Sequence, residues 1–160
     1  MKEQAFHNKQ RTGNMGLFYI SYKLSRLGWN VLVTSRNAKG ADAVIYNEAL
    51  TKKYSIQTKG FSDEEAVGPF KEKSHVIEDF YIIATHLYTS PIVYLLTGDE
   101  VKENLSPVEE GYFLQKKNYL KDRFKEKWQK IGYGFVDEEE SKRIKLIDGD
   151  DWEERTEEDE

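Results

Sequence analysis

Two short apolar runs, FYIIAT at 80–85 and IVYLLT at 92–97, constrain the fold more than any other feature of this sequence. Both are continuous, where a half-exposed strand would alternate apolar with polar residues. Runs of this kind suit central strands of a sheet that is covered on both faces. Neither approaches the roughly 20 apolar residues that a membrane-spanning helix requires.

A sheet covered on both faces needs flanking layers. Leu17, Ile20, Leu24 and Leu27 recur at steps of 3, 4 and 3, which predicts an amphipathic helix over 14–27. Asn14 is placed to cap its start, and Gly28 stands just past its end. Leu17 lies on the stripe and is read as ordinary core. Trp29–Thr34, Ala41–Tyr46 and Lys53–Lys59 read as three strands of an antiparallel meander, with a polar turn at 36–40 and a connection at 47–52. Residues 61–79 mix charges with Gly68 and Pro69, so a loop with one helical turn is expected there. One or two helical turns are expected at 99–105. A final helix is expected near 116–131, with Leu120, Phe124, Trp128 and Ile131 as its apolar stripe and a lysine-rich opposite face. The order gives an α/β sandwich whose central mixed sheet of about five strands is flanked by helices.

The chain has 160 residues, which fits one domain, expected over 1–136. Its net charge of -5 hides a division. Residues 137–160 hold 13 acids and 4 bases, a net of -9. Residues 1–60 hold 3 acids and 10 bases, a net of +7. The expectation is a basic body followed by an acidic, flexible tail. There is no cysteine, which excludes disulfides, thiolate metal sites and a cysteine nucleophile. No apolar stretch opens the sequence, so neither a secretory leader nor membrane association is expected, and the cytoplasm is the expected compartment.

Chemistry concentrates on the second and third strands. Asp42 opens one of them. Gln57 and Lys59 stand at i and i+2 on the other and so share a face, with Ile56 and Thr58 on the opposite one. If the strands pair, a carboxylate, an amide oxygen and an ammonium converge, and Asp42, Gln57 and the Thr58 carbonyl are the expected metal ligands. Mg²⁺ or Mn²⁺ takes oxygen ligands and keeps several waters. Such an ion acidifies a bound water and offsets charge on a phosphorane. Lys59 is placed to orient that water or to stabilise the developing charge. The site falls in the segment of net +7, which attracts a phosphate backbone. Around it Lys23, Arg26, Arg36, Lys39, Lys52 and Lys53 are singly read as solvated surface. As a group, Lys23, Arg36, Lys39 and Lys52 are the expected backbone contacts.

The segments GNMGLFYISYKLSRLGWNVLVTS, KGADAVIY and YSIQTKG together resemble the PD-(D/E)XK nuclease superfamily, which includes restriction endonucleases and archaeal Holliday junction resolvases. The resemblance covers about the first 60 residues. It implies a restriction-endonuclease-like fold, a metal-binding role for Asp42 and Gln57, and a catalytic role for Lys59. Glutamine is a variant of the usual acidic residue at the second position. Many relatives carry a glutamate on the first helix, where this chain has Leu17. The family often acts as a homodimer on DNA, because two strands are cut.

His7, His75 and His86 show no ligand spacing. Asp63, Glu64, Glu65, Glu78 and Asp79 are read as loop charges. Glu78 or Asp79 reaches the site only if the loop folds back over the sheet. The leading expectation is therefore a metal-dependent DNA endonuclease. The alternative is a catalytically inactive nuclease-fold module that binds nucleic acid or a protein partner. A third reading, an acidic DNA mimic, rests on the tail alone.

Overall fold

The chain enters regular structure at Asn8. In this computed structural model residues 8–35 and 39–135 are described. Arg36 and the acidic segment 137–160 lie outside them, as does His7. The Asn8 side chain accepts from Gln10 N at 2.8 Å and Arg11 N at 3.2 Å, and so caps helix α1 (Lys9–Arg26). The helix therefore starts five residues earlier than its apolar stripe predicts, and Asn14 lies within it. Its buried residues are Thr12, Gly16, Ile20 and Leu24. Thr12 and Gly16 carry no apolar signature, which is why the stripe conceals the first turns. Gly28, with φ at +88°, turns the chain out of the helix.

The central sheet follows the expected plan. Strands β1 (Asn30–Val33), β2 (Ala43–Tyr46) and β3 (Lys53–Gly60) form the antiparallel meander. After β4 (Val67–Phe70), β5 (Phe80–Thr85) pairs parallel with β3, and β6 (Ile92–Thr97) pairs antiparallel with β5. The order β1-β2-β3-β5-β6 makes a five-stranded mixed sheet. All six residues of β5 are buried, as the continuous run requires.

Each face of the sheet has its own core. On one face α1 packs through Ile20 and Leu24 onto Ile45, Ile56, Ile82 and Leu95. On the other, Tyr81, Ile83, Tyr94 and Leu96 pack with Val101 of α2 (Gly98–Asn104), Leu105 and Leu114. Thr97 and Glu100 form a capping box at the start of α2. Strands β7 (Ser106–Val108) and β8 (Gly111–Leu114) join β4 in a small second sheet of order β4-β8-β7. These three strands were not expected: each is three or four residues long, and two contain proline.

The long final helix does not form. Only Lys116–Tyr119 is helical, as α3, and a single 3-10 turn follows at Trp128–Lys130. The backbone between them is needed elsewhere. Leu95 N donates to the Phe124 carbonyl and Glu126 N to the Val93 carbonyl, both at 2.8 Å. The Glu126 carboxylate accepts from Val93 N at 2.8 Å. This segment covers the edge of β6, which would otherwise present unpaired groups. Phe124, Trp128 and Ile131 are still buried, so the stripe marks the right side chains on a different backbone. Among the described residues no helix is long and apolar enough to cross a membrane.

Candidate active site

The open end of the β2–β3 hairpin carries the site. Ala43 pairs with Ile56, which sets Asp42 beside Gln57. The Asp42 backbone is held from both sides. Its N–H donates to the Ile56 carbonyl at 2.9 Å, and its carbonyl accepts from Thr34 N at 2.9 Å. The Thr34 hydroxyl donates to the carbonyls of Ala41 at 2.8 Å and Asp42 at 3.1 Å. Three donors then converge on Asp42 Oδ2: Gln57 Nε2 at 2.7 Å, Thr58 N at 2.9 Å and the Thr58 hydroxyl at 3.1 Å. Oδ1 has no donor among the described residues. Gln57 donates through nitrogen, so its Oε1 stays available. Thr58 meets the carboxylate through its N–H and hydroxyl.

A cleft of about 500 Å³ opens over these groups. Asp42, Gln57, Thr58 and Lys59 form one wall, and Thr12, Gly13 and Leu17 of α1 form another. No described residue pairs with the Lys59 ammonium. Two glycines bring the walls together. A Cβ on Gly16 would stand 2.6 Å from Gly60 Cα, and one on Gly60 would stand 2.7 Å from the Thr12 carbonyl oxygen. The helix thus rests on the backbone of β3, directly after Lys59. Leu17, expected in the core, is half-buried in the cleft wall. With the helix register set by Gly16, the stripe position beside it faces the cavity.

The expected cations are not all near. Lys23 holds its ammonium over the Tyr19 ring, 5.8 Å from the centroid, and does not line the cleft. Lys52 lies at the closed end of the hairpin, about 16 Å along β3 at roughly 3.3 Å per residue. Lys39 is exposed on the turn that leads into Asp42. Lys9, on the first turn of α1, does line the cleft. The cap at Asn8, rather than Asn14, is what brings Lys9 onto the helix.

The acids are also redistributed. Asp79 accepts from Ser55 N at 2.7 Å and from its hydroxyl at 3.0 Å, and the Glu78 carboxylate accepts from the Tyr81 hydroxyl. Neither lines the cleft, but Glu65 does. Its carbonyl accepts from the Tyr119 hydroxyl at 2.7 Å. Burial, with the charge of Glu64 nearby, pushes the Tyr119 phenol well above its ordinary range and keeps it a donor. Nothing in the local sequence marks Glu65 out from Asp63 and Glu64.

No protein-family model and no curated protein matches this chain. Among solved structures the chain is similar to a bacterial homing endonuclease, with a TM-score of 0.54 and 15% identity. The match covers 78% of this chain and 93% of that one. The fold is nuclease-like.

On this nuclease-like fold the cleft is lined by residues with oxygen-bearing side chains, among them Asp42, Glu65, Gln57 and Ser62. Among the described residues no histidine lines it. Among the described residues there is no cluster of three or more acidic or histidine side chains able to hold a metal. The donor set fits Mg²⁺ or Mn²⁺, which bind through one or two carboxylates and complete their shells with water and phosphate.

Proposed function

We propose that this chain is a metal-dependent endonuclease that hydrolyses DNA phosphodiester bonds, a member of the PD-(D/E)XK type. One observation carries the reading. Asp42 meets Gln57 and Lys59, fifteen and seventeen residues further along the sequence, at one cleft with acceptor and ammonium groups free to take a ligand. The nuclease-like fold and the net charge of +7 over residues 1–60 support DNA as the substrate.

Asp42 and Gln57 would hold Mg²⁺ or Mn²⁺, each having a side-chain oxygen left without a donor among the described residues. When bound, the cation acidifies a water and neutralises charge on the phosphate. Thr58 fixes the rotation of the Asp42 carboxylate by occupying Oδ2. The Lys59 ammonium stabilises the charge that develops as the water oxygen bonds to phosphorus and the phosphorus–oxygen bond to the leaving strand breaks. Lys9, at the rim, positions the backbone without reading bases. Each copy has one such cleft, so a pair of copies serves the two strands of a duplex.

The test is cleavage of supercoiled and branched DNA with Mg²⁺ or Mn²⁺. Nicking is expected, and Asp42→Asn or Lys59→Ala is expected to slow it about 10³-fold, the scale of losing an electrostatic stabiliser. Cleavage unchanged in Lys59→Ala would overturn the assignment. Salt-sensitive DNA binding without cleavage by the wild type would favour a non-catalytic binding module.

A further inference from the structure

The loop after β3 contains three consecutive acids, and the structure separates their roles. Asp63 Oδ1 lies 3.5 Å from His86 Nδ1, and Glu64 Oε1 lies 3.2 Å from His86 Nε2. Both carboxylates are thereby turned to the end of β5. Glu65 is held by neither ring nitrogen of His86 and is among the residues that line the cleft with Asp42, Gln57 and Lys59. Among the described residues no group engages its carboxylate.

The backbone that carries Glu65 is fixed, although its side chain is exposed. Phe61 N donates to the Ala84 carbonyl at 2.9 Å, and Leu87 N to the Phe61 carbonyl at 3.2 Å. These bonds extend the β3–β5 pairing past the end of β3. Two residues beyond the His86 contact at Asp63, the Glu65 carbonyl takes the Tyr119 hydroxyl. Tyr119 is itself fully buried, with its ring edge-on to Tyr94. The loop is thus tied on both sides of Glu64 and delivers Glu65 at a set place. A carboxylate on a fixed backbone, hydrated and unpaired, bears little desolvation cost until a ligand arrives.

Charge gives this acid a task. A divalent cation held by one carboxylate binds weakly, because affinity follows ligand charge. The hairpin supplies only Asp42, and Gln57 is neutral. We infer that Glu65 is the second carboxylate of the cation site and that Tyr119 is its positioning residue. The inference rests on reading the cleft as a divalent-cation site.

The experiment is Mn²⁺ binding to the full chain, followed by the electron-paramagnetic-resonance signal of the free ion. Glu65→Gln is expected to raise the dissociation constant roughly tenfold, with the melting temperature of the apoprotein unchanged. Asp42→Asn is expected to raise it at least as much. Tyr119→Phe is expected to weaken binding several-fold, and to have no further effect in the Glu65→Gln background. A purely structural role for Tyr119 would weaken binding equally in both backgrounds, which overturns the positioning role. Wild-type affinity in Glu65→Gln alongside weakened binding in Asp42→Asn would overturn the Glu65 assignment and leave the cation site standing. Affinity unchanged by Asp42→Asn would remove the cation site itself, and Glu65 with it.

Discussion

The β2–β3 hairpin has a polar cluster at each end, and the two are built on different principles. At the closed end, Asn47 Oδ1 accepts from Thr51 N at 2.9 Å and Lys52 N at 2.8 Å, while Nδ2 donates to the Thr51 hydroxyl at 2.8 Å. Asn47 is only 8% exposed, and both of its polar atoms are used within the turn. At the open end, Asp42 gathers three donors on Oδ2, and its other oxygen, the Gln57 Oε1 and the Lys59 ammonium are left over a cleft. A cluster that closes on itself satisfies buried groups and supports folding. One that keeps bonding capacity toward a cavity is arranged for a ligand.

The largest expected effect tests the open end. Asp42→Asn and Lys59→Ala should reduce DNA cleavage about 10³-fold and leave urea unfolding nearly unchanged, because the variant amide still accepts from Thr58. Gly16→Ala comes next. Its Cβ would meet Gly60 backbone on a strand that cannot retreat, so a loss of about 2–3 kcal/mol is expected. Gly13→Ala is the control on the same helix: nothing lies within 4 Å of its Cβ. That change should raise stability by up to about 1 kcal/mol through helix propensity. Equal outcomes for the two glycines in denaturant unfolding would refute the close contact that shapes the cleft. At the closed end, Asn47→Ala should cost about 2 kcal/mol by leaving turn donors unsatisfied. Cleavage per folded molecule should stay at the wild-type rate. Loss of cleavage in folded Asn47→Ala would erase the distinction between the two ends.

The same contrast explains what the sequence makes legible. Strands β5 and β6 follow from continuous apolar runs, because burial on both faces leaves no polar alternation. The hairpin chemistry follows from a two-residue period, which puts Gln57 and Lys59 on one face whatever surrounds them. Thr58 departs from that rule, since its hydroxyl still reaches Asp42 beyond the end of β2. The segment 116–131 is misread because its backbone answers to the edge of β6, a partner some thirty residues away that periodicity cannot register. Glu65 is hidden for the same reason, its backbone being tied to Tyr119, whereas Lys9 is hidden because the first turns of α1 carry no apolar stripe. Arg36, an expected backbone contact, and the acidic segment 137–160, expected as a flexible tail, fall outside the described residues.

Buried phenols supply the smallest and most specific test, since they are closed clusters that titrate. Tyr119 donates to the Glu65 carbonyl and Tyr81 to the Glu78 carboxylate. Burial pushes both phenols well above their ordinary range, reinforced by Glu78 at Tyr81 and by Glu64 at Tyr119. In the unfolded chain each titrates near its usual value of about 10. The folded pKa is the raised one, so the stability tied to each proton is intact below about pH 10 and lost as pH climbs further. Each phenol should steepen the alkaline fall by up to about 1.4 kcal/mol per pH unit. Tyr119→Phe should cost about 1 kcal/mol at pH 7 through the lost hydrogen bond. That deficit should shrink above pH 10, because the variant has one fewer phenol to ionise on unfolding. Urea unfolding of both proteins at pH 7 to 11 measures it. A constant gap between them would mean that Tyr119 ionises as readily in the fold as in the unfolded chain. Its hydroxyl would then be no closed cluster, and the tie that holds the Glu65 backbone beside the cleft would be lost.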